Sequence, residues 1–467
     1  MHEWSPQQVA DAAGARLIAA PVTPPPGPGR VTIDSRDAGP GVLFVGLPGA
    51  RADGGAFAAH ALEAGAWGVL AGTGHAEAVA AARAATPTTT AEARAAPAAV
   101  ILAADDPLAA LQRLATAWRR ELRATVIGVT GSTGKTSTKD LLRAVLTPQR
   151  RTVASRANFN TEIGLPLEIL GAPPGTEILV LEMGMRGPGQ IAELAAIAEP
   201  DVAVIVSVGP VHLELLGTVE AIAAAKAELI AALPAHGTAV IPAGEGLLDP
   251  HRRAAITTVT FGAGGDVDYV RQDDRHVVIA AGADTIKLAV PFTQAHLRLD
   301  LLAAVAAARA AGVTPRGEVA LALTAGRGET VVLPGGVTVI DGSYNANPIS
   351  MRAALEDLSA TARRMRAHRR VAVLGDMLEL GPDGGAYHRA LGPLADAAGV
   401  ELLITVGPLA AAIAHDFHGA VRPAADAAAA ASLVPGLLAS GDVVLVKGSL
   451  GVGLARVCEA LGARVAA

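Results

Sequence analysis

Apolar and polar positions along this chain fall into short alternating segments. Brief β-branched runs read as strands: "ATVIGVT" at 124–130, "EILVLEM" at 177–183, "DVAVIVSV" at 201–208 and "GTAVIPA" at 237–243. Helical patterns lie between and after them, among them "KTSTKDLLRAVL" at 135–146, "TVEAIAAAKAELIAAL" at 218–233 and "LDLLAAVAAARAAG" at 299–312. Strand alternating with helix predicts a parallel sheet covered on both faces. The same rhythm returns after Val313 in "GVTVIDGSY", "RVAVLGDM", "ELLITVG" and "DVVLVKGS", which predicts a second, doubly wound sheet. Before residue 106 the elements are shorter. A Pro-rich break, "PVTPPPGPGR", precedes the strand "GVLFVGL" and the helix "GAFAAHALEAGA", and the low-complexity "ATPTTTAEARAAP" reads as a loop. Three α/β domains follow, at 1–106, 107–312 and 313–467, and no repeat of 20 to 50 residues joins them.

Composition agrees with three domains, since 467 residues exceed what one core holds. Apolar residues make up 51%, dominated by Ala, and aromatics only 3%, which suits helices packed closely on sheets. A net charge of −6 leaves no electrostatic footprint for nucleic acid. The densest basic patch, "RRMRAHRR" at 363–370, reads as a solvated helix end before a strand. The single cysteine, Cys458, excludes an intrachain disulfide and a Cys-based zinc site. The polar N-terminus carries no signal-peptide core, and the Ala-rich stretches break before the roughly 20 apolar residues of a membrane span. The expectation is a cytoplasmic protein without a membrane span.

The chemistry starts at "GVTGSTGKTSTKD", residues 128–140, which contains the pattern G-x-x-x-x-G-K-[ST] between a strand and a helix. Such a loop lets backbone N–H groups of Gly131, Ser132, Thr133, Gly134 and Ser137 approach phosphate oxygens at a positive helix end. Lys135 neutralises the β/γ-phosphates, and the Thr136 hydroxyl is a Mg²⁺ ligand. Glu182 ends a strand at the edge where ligands bind in such sheets. Taken singly, Glu182 can equally be a solvated carboxylate, His212 in "GPVHLE" a surface residue, and Lys226 an exposed helix charge.

Read together, the motifs carry a resemblance. "GSTGKTSTKDL", "NFNTEIGLPLEIL", "EMGMRGPGQI", "HLELLGTVEAIAAAKAEL", "GGVTVIDGSYNANPISMRAAL", "RVAVLGDMLELG" and "DVVLVKGS" occur in this order. They resemble the Mur ligases of peptidoglycan synthesis, and among them the branch that joins D-alanyl-D-alanine to a UDP-muramoyl tripeptide. The resemblance implies a small N-terminal α/β domain for the UDP-muramoyl peptide and a central P-loop parallel-sheet domain for ATP. It implies a C-terminal Rossmann-like domain for dipeptide binding and cleft closure. The reaction implied passes the γ-phosphoryl group to the tripeptide carboxylate, and the dipeptide amine attacks the acyl phosphate. Cations must bridge the two anions, because repulsion dominates in a low-dielectric cleft.

By the same resemblance, Thr136 and Glu182 hold one Mg²⁺ and His212 a second, and Lys226 carries a carbamate that supports it. Asn158, Asn160 and Thr161 meet the muramoyl peptide or the transferring phosphoryl group. Asp34, Ser35 and Arg36 match the "DSR" that contacts UDP. Arg327 lies near the ATP phosphates and Asp341 near the ribose. Tyr344 lies with the substrate, Asn345 and Asn347 help seat the dipeptide or order the closed cleft, and Asp376 and Glu379 either support the site or shape its loop. The partners implied are small molecules only, for a monomer serving cell-wall growth and division. Three positions depart from the pattern. Asp300 stands where an Asn reads adenine, four residues after His296; Gly55 replaces a bulkier polar residue; and Leu450 replaces a frequent Arg. Other readings are a folate-polyglutamylating synthase, a sister ligase adding a diamino acid, a P-loop switch, or an idle scaffold. The separate N-terminal block and "DGSYNANP" argue against the first, and Ile349, Ser350 and Met351 after Pro348 against the second. No evident partner helix or exposed tail suggests a switch, and Lys135, Glu182 and His212 are all retained, which disfavours a scaffold.

Overall fold

The computed structural model describes residues 1, 3–23, 26–85, 99–156 and 158–464. The low-complexity segment expected to be a loop lies almost wholly outside them. Three sheets organise the described chain. The first runs in the order Arg16–Ala19, Val100–Ala104, Gly68–Gly72, Val42–Val45, Arg30–Thr32, parallel except for its antiparallel first strand.

The central sheet has ten strands. Six of them form a parallel core, in the order Thr257–Phe261, Thr238–Pro242, Val202–Ile205, Thr125–Thr130, Ile178–Glu182, Thr152–Ala154. The near-continuous burial of Thr125–Thr130, Ile178–Glu182 and Val202–Ile205 in its middle is what a sheet covered on both faces requires. Beyond Phe261 the pattern changes. Val267–Gln272, His276–Ala281 and Asp284–Ala289 form an antiparallel meander that the strand–helix rhythm does not announce. His276–Ala281 alternates between buried and more open positions, as a one-sided antiparallel strand does.

The third sheet runs Glu329–Val332, Thr338–Gly342, Asp442–Lys447, Arg369–Gly375, Leu402–Val406, Ala420–Ala424. Its first strand is antiparallel, the rest parallel, and apolar clusters cover both faces. This is the doubly wound arrangement. It starts later than Val313: the strand Gly317–Glu318 pairs with Asp284–Ala289, and Val313 and Val319 are buried in the central core.

The helix Pro107–Leu122 joins the first two domains. Asp106 caps it, accepting from the Leu108 and Ala109 N–H groups at 2.9 and 3.0 Å. Its Leu111, Leu114 and Trp118 share one apolar cluster with Val9 and Leu102 of the first domain and Leu165 and Leu179 of the second. Trp118 stacks edge-on against Trp4 at 5.6 Å and donates to the Ala172 carbonyl at 3.0 Å. No helix among the described residues is long and apolar enough to cross a membrane.

Candidate active site

The strand Thr125–Thr130 lies inside the central sheet and delivers the Gly-rich loop to its C-terminal edge. Gly134 has φ +78°, and a Cβ there would lie 2.5 Å from Asp300 Oδ1. Only glycine fits both the turn and the space. The loop is tied to residues 207–209. Ser132 N–H donates to the Ser207 carbonyl and Thr133 N–H to Ser207 Oγ, while Ser132 Oγ lies 3.0 Å from both the carbonyl and the N–H of Gly209. The helix Lys135–Leu146 points its N-terminus at this loop. Lys135 Nζ donates to the Gly131 carbonyl at 2.7 Å, folded back over the loop at a helix N-terminus, the kind of place that attracts anions.

Thr136 Oγ1 and Glu182 Oε2 are 2.9 Å apart, and both residues are buried. Asn160 Nδ2 holds the other Glu182 oxygen at 2.9 Å. Asn160, matched to the muramoyl peptide in the sequence, thus also braces the Glu182 carboxylate. The donor set fits Mg²⁺, which prefers oxygen and takes only one or two protein ligands beside phosphates. No group of three His, Cys, Asp or Glu among the described residues makes a closed metal cage.

Lys226 projects from the helix Val219–Ala231 and is 2% exposed. Burial holds its ammonium well below the usual lysine range, and the charge of Lys135 lowers it further. No carboxylate pairs with it among the described residues. His212 adopts a left-handed backbone (φ +53°) at the start of the short helix Leu213–Leu216. Its Nδ1 contacts Glu379 Oε2 of the third domain. Burial lowers the His212 pKa, Glu379 opposes this, and the charges of Lys135 and Lys226 add to it. Lys135, Lys226, His212, Glu182 and Glu379 therefore act on one cleft.

The third domain closes that cleft with its own groups. The Arg327 guanidinium stacks on the Tyr344 ring at 3.8 Å, and its buried Nε has no hydrogen-bond partner. Lys447, unmarked in the sequence, donates to the Asn345 carbonyl at 2.8 Å; burial and the charge of Arg327 push its pKa down to about 7. Half-buried His296 is lowered to about 4 by desolvation and by Lys447. Asn347 caps the helix Pro348–Met365 through Oδ1, and its Nδ2 reaches the Ser132 carbonyl at 3.4 Å. Its amide thus joins the third domain to the P-loop, the contact a residue ordering the closed cleft would make. Asn345 is exposed, with Oδ1 accepting from Ala346 N–H at 2.9 Å.

The remaining motif positions have the following partners. Asp341 is buried, and its Oδ1 accepts from the N–H and O–H of Ser343 at 3.0 and 2.6 Å. Its other oxygen lies 3.8 Å from Arg464. Strand alternation explains the burial, since Asp341 shares a face with Val339, inside the sheet's second apolar cluster. Asp300 packs on the P-loop, with Ser137 Oγ 2.5 Å from its Oδ2. Burial raises its pKa to about 7. Asp376 braces its loop by accepting from Ala410 N–H at 2.7 Å. Asn158 and Thr161 are exposed, and Thr161 Oγ1 accepts from Gly164 N–H at 3.4 Å. In the first domain, Asp34 and Arg36 pair with each other on the surface around Ser35, and Arg36 holds the Asp34 carboxyl at about 2. Gly55 is explained by His75: a Cβ at Gly55 would sit 2.4 Å from that ring, which bonds Asp53 at 2.9 Å. Leu450 is exposed beside exposed Leu378.

Comparison with known proteins finds three family matches in order along the chain. Residues 29–119 match the model described as Mur ligase family, catalytic domain; 129–308 match Mur ligase middle domain; 326–450 match Mur ligase, glutamate ligase domain. The UDP-N-acetylmuramoyl-tripeptide–D-alanyl-D-alanine ligase of Mycobacterium tuberculosis is 41% identical, with 93% of this chain and 92% of the relative covered. That of Bacillus subtilis is 36% identical, with 92% of each covered. Crystal structure I of MurF from Acinetobacter baumannii superposes with a TM-score of 0.83 at 26% identity, covering 99% of both chains. The MurF ligase of Thermotoga maritima in complex with ADP gives 0.76 at 29% identity, covering 92% of this chain and 96% of that one. With its three domains matched in order and relatives this similar along nearly its whole length, the chain belongs to the Mur ligase family.

Proposed function

We propose that this chain is the ATP-dependent ligase that joins D-alanyl-D-alanine to a UDP-N-acetylmuramoyl tripeptide, releasing ADP and phosphate. One observation carries the reading. The P-loop residues Lys135 and Thr136 meet Glu182, Lys226 and His212 in one cleft, faced by Arg327 from the third domain. This set binds two anions against each other and offers no Ser/His/Asp or Cys/His nucleophile. That is what direct attack of a substrate carboxylate on ATP requires. The tripeptide carboxylate takes the γ-phosphoryl group, and the dipeptide amine then displaces phosphate from the acyl phosphate.

Lys135 and Arg327 neutralise the phosphate oxygens, and the loop N–H groups orient them. Mg²⁺ fits Thr136 and Glu182, with His212 for a second ion; the cation supplies charge neutralisation between phosphate and carboxylate. Lys226, buried without a counter-charge, suits a carbamate made from CO₂, since the neutral amine is the reactive form. The first domain holds the UDP-muramoyl peptide and the third domain the dipeptide. The enzyme works as a cytoplasmic monomer.

Phosphate release is the test. With ATP, Mg²⁺ and tripeptide present, release should start only on adding D-alanyl-D-alanine; release independent of the dipeptide, or none, overturns the assignment. Lys226→Ala should be inactive and recover in part with short carboxylates such as acetate or formate. A folded Lys226→Ala that no short carboxylate rescues would count against the carbamate.

A further inference from the structure

We propose that Glu379 is a positioning residue for His212. From the third domain, its carboxylate fixes the imidazole tautomer and leaves Nε2 free to ligate a cation. The inference rests on the reading of His212 as a metal ligand and adds a residue, and a domain, on which that ligand depends.

A carboxylate only accepts hydrogen bonds, so in the contact between Glu379 Oε2 and His212 Nδ1 the ring nitrogen is the donor. A neutral imidazole protonated at Nδ1 has a bare Nε2, the form a metal binds. Metal-binding histidines commonly have their other nitrogen fixed by a carboxylate in this way. Two further contacts hold the pair in register. The Glu214 N–H donates to the Glu379 carbonyl at 3.2 Å. Gly381, at φ +66°, lies so close that a Cβ there would be 3.4 Å from Glu214 Cα. The second Glu379 oxygen faces Arg186 at 3.8 Å.

The loop that carries Glu379 is braced from within its own domain. Met377 N–H donates to His388 Nε2 at 2.8 Å, and buried His388 lies 2.7 Å from the Gly384 carbonyl through Nδ1. Leu378 N–H donates to Ser449 Oγ at 2.9 Å, and Leu380 is buried in the domain core. Glu379 therefore arrives as part of a rigid edge, and His212 is oriented when that edge docks on the central domain. Ligand geometry and domain closure become one event.

The tautomer of His212 tests this in the full-length protein. In long-range ¹H–¹⁵N spectra of ¹⁵N-histidine protein, with His212→Asn for assignment, wild type should show Nδ1 protonated and Nε2 bare. Glu379→Ala should shift His212 toward the Nε2–H form, whereas Glu379→Gln should keep it, because the amide oxygen still accepts. Mn²⁺ titration by electron paramagnetic resonance, with a non-hydrolysable ATP analogue, should show Glu379→Ala weakening the His212-dependent ion by roughly 10–100-fold. Glu379→Gln should stay within a few-fold of wild type. A protonated Nε2 in wild type, or unchanged tautomer and Mn²⁺ affinity in Glu379→Ala, overturns the proposal. The wild-type tautomer decides it even if Glu379→Ala does not fold. His212→Ala is the separate control: unchanged Mn²⁺ binding there removes the ligand reading and leaves the tautomer result standing.

Discussion

Asp300→Asn separates two roles for the residue that replaces the family's adenine-reading Asn. The Asp300 side chain is 4% exposed, lies against Gly134 and Ser137, and has no cationic partner among the described residues. Burial raises its pKa from 3.8 to about 7. Between those values the folded protein binds more protons than the unfolded chain. Stability is therefore full below about pH 4, falls as the pH rises, and levels off above about pH 7. At 1.36 kcal/mol per unit the loss reaches about 4 kcal/mol, an upper figure because water and relaxation soften buried charges. Asn has the same shape and cannot ionise. The variant should resist urea better than wild type at pH 8, and most of that gap should vanish by pH 5. Removing a negative charge beside the P-loop should also tighten ATP, GTP and inorganic tripolyphosphate alike at pH 8, measured by calorimetry, and less so at pH 6. A gain confined to ATP would put adenine at Asp300, and a stability gap flat with pH would refute the protonation argument.

Other variants probe the cleft and its supports. Tyr344→Ala should lower kcat/KM for ATP about 2- to 30-fold, the cost of about 0.5–2 kcal/mol for losing the stacked Arg327, while Tyr344→Phe keeps it; equal loss in both would assign the hydroxyl instead. Gly134→Ala should abolish nucleotide binding in calorimetry while circular dichroism stays native, because the added Cβ meets Asp300 at 2.5 Å in a left-handed turn. Lys139→Met should cost about 3–5 kcal/mol in urea unfolding, since it leaves the buried Asp140 carboxylate without its cation at 3.0 Å.

Much of the site is readable because it is local. The P-loop is a contiguous pattern whose glycines, lysine and hydroxyl are placed by one strand, one turn and one helix end. The strand–helix rhythm likewise marks both parallel sheets, because each crossover is built from neighbouring residues. Reading fails where a second segment decides. The meander from Val267 to Ala289 is an antiparallel extension that no helix separates, and Gly317–Glu318 joins the central sheet although the rhythm restarts at Val313. His75 occupies the space left by Gly55 from twenty residues away in sequence.

Which groups this protein has for handling phosphate, and where its three α/β units recur, can be read from the residues in order. What those groups are free to do follows from how the chain packs. Asp341 and Asn347 belong to the most telling motif, and a buried strand face and a helix cap engage one side-chain oxygen of each. Asp300 braces the loop, and Glu379 reaches His212 across 167 residues. Backbone conformation follows from neighbours along the chain, but whether a carboxylate is spent, neutral or poised depends on what docks against it.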